Sequence, residues 1–327
     1  MNNVVEFALR RVRRWSGHCT RRVSRRGAEQ SGRLPAPRGE DASGTVVKTL
    51  AVAVAMAALT APGELMVRDG QTIAFLGDSI TEMGAWSAGY ISMTMKGLEI
   101  AGVRDLKDLR CGQSGNTSRE MKKRIDWVLC QKPDLLLISC GVNDAWHVAR
   151  GCKLEDYKVN MSEMFDKAAA SNVAVVVMTP TMLKEVEDND LNARLEPYLV
   201  WLRAEAKRRN LVVADVNAFE HAELRRLERE GKRKKSNNFT SDDGIHMMYP
   251  GNCMIATCLL RTFGADPALQ PQFDAAWRQL PGAVNVRLLL SVDEYDRLKA
   301  AGVKDQVYQV EKYAHDALFS DGTTWRK

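Results

Sequence analysis

The sequence has no Cys-x-x-Cys pair, no apolar run long enough to cross a bilayer, no internal repeat and, beyond its first 48 residues, no excess of positive charge. Each absence removes a class of function. Without cysteines at knuckle spacing a structural zinc site is disfavoured. The run "TLAVAVAMAALTA", residues 49–61, falls short of the roughly 20 residues that a membrane-spanning helix needs. The formal net charge of +6 is misleading, because residues 1–48 hold eleven Lys/Arg against four Asp/Glu and leave −1 for the remainder. A nearly neutral body offers no electrostatic footprint for a nucleic acid.

What is present at 49–61 suits the apolar core of a signal peptide, with small residues for cleavage near Ala57 to Ala61 and Pro62-Gly63 behind. It implies export, periplasmic or extracellular, and no stable membrane insertion once the signal is removed. The Arg-, Ser- and Gly-rich stretch ahead of it reads as disordered, and translation is expected to start near Val46 or Val47. An uncleaved anchor or a buried helix is the competing reading. Six cysteines follow the segment: Cys111, Cys130, Cys140, Cys152, Cys253 and Cys258. An even number permits disulfides in an exported protein, although Cys111 and Cys140 end apolar runs and fit buried free thiols as well.

Four short runs rich in branched residues, 72–77, 133–141, 173–180 and 211–216, have the continuous apolar character of strands buried on both faces. Amphipathic helical patterns lie near 84–101, 118–130, 155–171 and 190–209, with a further helix from Pro250 to Phe263. Such alternation predicts an α/β fold, a three-layer α/β/α sandwich whose parallel sheet is covered by helices on both faces. After Gly264 the rhythm changes, and residues 265–327 are read as an extension of unknown role.

In such sheets ligands bind at the carboxyl ends of the strands, so the residues at each exit carry the chemistry. After the first strand comes Gly77-Asp78-Ser79, near the end of the second "CGQSGNTS" (111–118), and after the third "GVNDAWH" (141–147). Late in the chain, outside any strand, comes "SDDGIHMMYPG" (241–251). Singly each has a plain explanation: Ser79 as a helix cap, 113–118 as a polar turn, Asn143-Asp144 as a cap, Asp243-Gly244 as a tight turn.

Together the four segments resemble the signature blocks of the SGNH hydrolases, the superfamily of GDSL-type esterases and lipases. Ser79 in "GDSI", Gly115 in "QSGNT", Asn143 in "GVND" and Asp243 with His246 in "DGIH" fill the signature positions over residues 71–263. The resemblance implies a flavodoxin-like sheet and a hydrolase domain over 67–264, preceded by a leader over 1–66. It also implies a Ser79–His246–Asp243 triad and an oxyanion hole of Ser79, Gly115 and Asn143. The chemistry agrees. A serine hydroxyl needs a base within hydrogen-bond reach, the base needs a carboxylate to orient it, and a tetrahedral intermediate needs donors for its oxygen. Gly115 is expected because a side chain there would obstruct the approach of backbone to substrate. The order Ser, Asp, His also occurs in α/β-hydrolases, but their G-x-S-x-G elbow is broken here by Thr81. A metal at Asp242, Asp243 and His246 lacks a second histidine in the segment, and no metal or cofactor is expected.

Trp146 and His147, with Asp78, are candidate substrate contacts. The "G-x-N-D-x-W" segment is similar to that of acetyl-xylan-type carbohydrate esterases in the superfamily, and an aromatic face there would stack on a sugar, unless Trp146 simply packs its own loop. The expected substrate is a small-molecule or glycan ester bearing a short acyl group, acetyl above all. A lysophospholipase or thioesterase is the alternative within the superfamily, and a non-catalytic glycan-binding protein the alternative outside enzymes.

Overall fold

A computed structural model of the chain describes residues 65–280. The leader, the segment at 49–61 and residues 281–327 lie outside the described residues.

Five parallel strands form one sheet: β1 (Thr72–Gly77), β2 (Lys107–Gly112), β3 (Leu135–Ser139), β4 (Ala174–Met178) and β5 (Val212–Ala214), in the order β2-β1-β3-β4-β5. That is the flavodoxin-like order, with a topological switch point between β1 and β3. The central strands are almost wholly buried, and Ile73, Phe75, Leu76, Leu136, Leu137, Ile138, Val176 and Val177 have no exposed surface. β2 is not among the apolar runs because it is an edge strand: Lys107 and Arg110 face solvent and only Cys111 is buried. A strand covered on one side needs no continuous apolar sequence.

The helices pack in two groups that cover the sheet. α3 (Ser118–Leu129) packs on α5 (Leu154–Ala170), and α5 on α6 (Asp190–Arg208). The second group is α2 (Tyr90–Ile100), α7 (Val216–Arg229), α8 (Tyr249–Thr262) and α9 (Gln270–Trp277), in which α8 touches both α2 and α7. Two short helices, α1 (Ser79–Gly84) and α4 (Val142–Trp146), begin at the exits of β1 and β3.

Three expectations change. The helix expected over 84–101 starts only at Tyr90, because α1 ends at Gly84 and the chain turns tightly through Gly89, where an added Cβ would lie 2.3 Å from the Gly84 carbonyl oxygen. The strand expected to reach 216 stops at Ala214, since Asp215 accepts the Ala218 N–H and caps α7. The core also runs past 264: Pro267–Leu269 form a 3₁₀ turn, and α9 buries Trp277 completely, its indole donating to the Met93 carbonyl at 2.9 Å. Aromatic residues on a helix beyond the last signature carried that packing.

Candidate active site

The exits of β1, β2 and β3 lie side by side, which brings residues 79, 115 and 143 to one end of the sheet. At the first exit Asp78, not Ser79, caps α1, its Oδ1 accepting the Ile80 N–H at 3.0 Å. Ser79 is therefore the first helical residue, and its hydroxyl is committed elsewhere. Ser79 Oγ lies 2.8 Å from His246 Nε2, and His246 Nδ1 lies 2.6 Å from Asp243 Oδ2. The other carboxylate oxygen of Asp243 accepts from Ser241 Oγ at 2.7 Å and from the backbone N–H groups of Ile245 and His246, each at 3.0 Å. Asp243 is thus fixed on both oxygens, and with it the imidazole.

The loop that carries this pair is closed on itself. Thr240 and Met247 form a bridge, the Ser241 N–H donates to the His246 carbonyl, and the Met248 N–H donates to the Phe239 carbonyl. Its anchor is Glu185, just beyond β4, a buried carboxylate. Glu185 accepts from the backbone N–H groups of Asn238, Phe239 and Thr240, from Asn238 Nδ2 and from Thr240 Oγ1. Nothing in "LKEVED" announces that role.

At the second exit Gly115 is exposed with φ +76°, and an added Cβ would meet no atom of the described residues within 4 Å. The need for glycine is therefore set by the left-handed backbone, not by crowding from the protein. At the third exit Asn143 is nearly buried and its Nδ2 donates to the Asn116 carbonyl at 3.0 Å, which ties the β3 exit to the Gly115 loop. Asp144 reinforces the tie by accepting the Ser118 hydroxyl at 2.6 Å and the Ser118 N–H. Among the described residues, the backbone N–H groups of Ser79 and Gly115 have no protein acceptor.

Asp78 was expected near substrate, but it is 2% exposed and occupied as a cap. Burial pushes its carboxyl up to about 6, against the pull of the Ile80 N–H and of His246. Burial likewise raises Asp144, opposed by its Ser118 donors. Trp146 ends α4 half-buried against the core, its ring centroid 6.3 Å from that of His147. Burial lowers the His147 pKa, with Arg150 adding to the effect. Five cysteines, Cys111, Cys140, Cys152, Cys253 and Cys258, are free thiols.

The profile of the GDSL-like Lipase/Acylhydrolase family matches residues 75–252, more than half of the chain. The chain belongs to that family. The protein is accordingly a carboxylic ester hydrolase with the SGNH fold. It is 23% identical over 223 residues to an acetylxylan esterase of Geobacillus stearothermophilus, covering 61% of this chain and 97% of that protein. The crystal structure of that acetylxylan esterase superposes with a TM-score of 0.54 at 22% identity, over 62% of this chain and 98% of the other. An alpha/beta hydrolase enzyme from the metagenome of Lake Arreo, Spain, gives 0.55 at 23% identity over the same shares. At these identities the superpositions speak for the fold. Beyond the signature positions, Asn116, Ser118, Arg124, Asp144 and Glu185 hold the segments of the site together; Asn116, Ser118 and Asp144 lie within the quoted signature segments, whereas Arg124 and Glu185 were not singled out by the sequence.

Proposed function

We propose that the protein removes short acyl groups, acetyl above all, from an esterified carbohydrate, with Ser79 as nucleophile, His246 as general base and Asp243 as the group that orients it. The observation that carries the reading is the unbroken chain from Ser79 Oγ to His246 Nε2 at 2.8 Å and from His246 Nδ1 to Asp243 at 2.6 Å. His246 takes the hydroxyl proton as Ser79 Oγ attacks the ester carbon. The carbonyl oxygen becomes an oxyanion and accepts from the N–H groups of Ser79 and Gly115 and from Asn143 Nδ2, whose other hydrogen is held by Asn116. Collapse breaks the bond to the alcohol, which leaves with the proton from His246. Water then attacks the acyl-serine, gives a proton to His246, and the acid departs as Ser79 recovers its hydrogen.

The substrate class rests on the related acetylxylan esterase and on Trp146 three residues beyond Asn143, where an indole would stack on a sugar ring. Export directed by residues 49–61 fits a polysaccharide substrate; N-terminal sequencing of the mature protein checks it. The deciding experiment measures acetate released from a panel of acetylated glycans, beside p-nitrophenyl acetate and octanoate. Release from at least one glycan, with acetate hydrolysed faster than octanoate, is expected. Faster octanoate turnover with no glycan deacetylated would overturn the proposal in favour of a lipid or thioester substrate.

A further inference from the structure

α3 carries four basic residues in its first two turns, Arg119, Lys122, Lys123 and Arg124. Arg119 and Lys123 are exposed, and Lys122 pairs with Glu163 at 3.2 Å. Arg124 differs. It lies on the helix face of Met121 and Val128, half-buried against the sheet, and among the described residues it makes no ion pair. Its guanidinium meets three neutral oxygens instead: Nη2 donates to the Gly77 carbonyl at 2.7 Å, Nη1 to the Cys111 carbonyl at 2.7 Å, and Nε to Asn116 Oδ1 at 2.8 Å.

These acceptors sit on the segments that carry the three oxyanion donors. Gly77 lies two residues before Ser79, and its carbonyl also accepts the Gln113 N–H at 3.1 Å. Cys111 is the last but one residue of β2, just ahead of the loop. Asn116 follows Gly115, and its carbonyl holds Asn143 Nδ2 at 3.0 Å. Burial lowers the Arg124 pKa, opposed in part by Asp78 and Glu82, which act through space without pairing with it, so the charge is held there at a desolvation cost. A half-buried cation, three of whose N–H donors are spent on backbone and amide oxygens, gives geometry rather than ion-pair energy, and a planar fork does this where an ammonium does not. We infer that Arg124 is a positioning residue for ester hydrolysis, clamping the exits of β1 and β2 and the Gly115–Asn116 segment so that the N–H groups of Ser79 and Gly115 and the amide of Asn143 converge on one oxygen. This rests on the oxyanion hole proposed above.

The test uses the full chain with p-nitrophenyl acetate and a trifluoromethyl ketone, which adds to the serine and leaves an oxyanion in the same place. Arg124→Ala is expected to lower kcat about 100-fold, the scale of one lost donor, with KM changed less than about threefold. Its trifluoromethyl ketone affinity should fall with kcat, and millimolar guanidinium should recover part of the rate. Arg124→Lys, which keeps the charge and the packing of the stem, is expected to lose at least about tenfold in kcat with an unchanged melting temperature. It is the variant to read if Arg124→Ala does not fold. Arg124→Ala with Asn143→Ala should lose less than the product of the two single losses, because both act on one set of donors. Wild-type kcat in Arg124→Lys, or a loss that leaves ketone affinity untouched, overturns the inference. If Asn143→Ala lowers kcat while both Arg124 variants do not, this inference alone falls. If Asn143→Ala keeps full kcat, the oxyanion hole itself falls.

Discussion

The two halves of the site are held together by different means. Ser79, Gly115 and Asn143 stand at the exits of neighbouring strands, so their approach follows from the order β2-β1-β3. Asp243 and His246 sit on a loop outside the sheet, and their place is set by a short bridge at Thr240–Met247 and by the five bonds that Glu185 accepts. The donor half inherits its geometry from topology, while the base half depends on one buried carboxylate reaching across from another crossover. Damage to the supports should therefore differ: in the donor half it costs chemical rate, whereas in the base half loss of the Glu185 anchor costs chemical rate and local stability together.

The comparison is sharpest at the point where the halves meet. Ser79→Ala and His246→Ala should each lower kcat by about 10⁶, and the double variant should be little worse, because nucleophile and base act as a unit. Steady-state kinetics with thermal melting checks this, and both single variants should melt close to the wild type. Two losses that multiply would mean that hydroxyl and imidazole act separately, despite the 2.8 Å between them. In the donor half, Asn143→Ala should cost about 10²–10³ in kcat with little change in KM, since the amide is needed for an oxygen that becomes charged only in the transition state. A rise in KM at constant kcat would make Asn143 a ground-state contact.

In the base half, Glu185→Gln places an amide N–H₂ against backbone N–H groups that now donate to a carboxylate. It should lower kcat roughly tenfold or more and destabilise the fold by about 1–3 kcal/mol for each buried donor left unpaired. Hydrogen exchange should then quicken at residues 238–248 and stay at its wild-type rate at 113–117. Equal acceleration in both segments would break the contrast between the halves.

What could be read from the sequence divides along the same line. β1, β3 and β4 were legible because strands buried on both faces must be apolar throughout, and the meeting of Ser79 with His246 and Asp243 because a hydroxyl, an imidazole and a carboxylate are the residue types that the proposed chemistry calls for. β2 gave no apolar run of its own, because an edge position lets Lys107 and Arg110 face water, and only the segment at 111–118 marked its end. α9 was hidden because nothing local distinguishes a docked amphipathic turn from an extension; only the indole of Trp277 meeting Met93 does. Asp78 misled because its neighbour is chemically conspicuous, whereas its own carboxylate is spent on the Ile80 N–H. Glu185 left no signal, since a carboxylate in a polar loop reads as solvated until the fold brings residues 238–240 onto it.

Titration separates the two halves by the smallest of these effects. Beneath the donor half, burial pushes Asp78 up to about 6. Beneath the base half, Glu220 on α7 accepts the Met182 N–H at 2.9 Å with one oxygen and leaves the other buried without a partner, and burial, with Glu185 nearby, pushes it up to about 8. Between the ordinary carboxylate range and these values the folded chain holds protons that the unfolded chain has released. Raising the pH through that window therefore favours unfolding. The Asp78 contribution is spent by about pH 6, whereas that of Glu220 continues to about pH 8. Glu220→Gln should flatten the fall in stability between pH 6 and 8, by at most about 1.4 kcal/mol per pH unit, and leave only the Asp78 share of the fall below pH 6. Denaturant unfolding at half-unit pH steps measures both slopes. A variant that keeps the wild-type slope above pH 6 would show that Glu220 does not carry it, and that the base half is no more sensitive to alkali than the donor half.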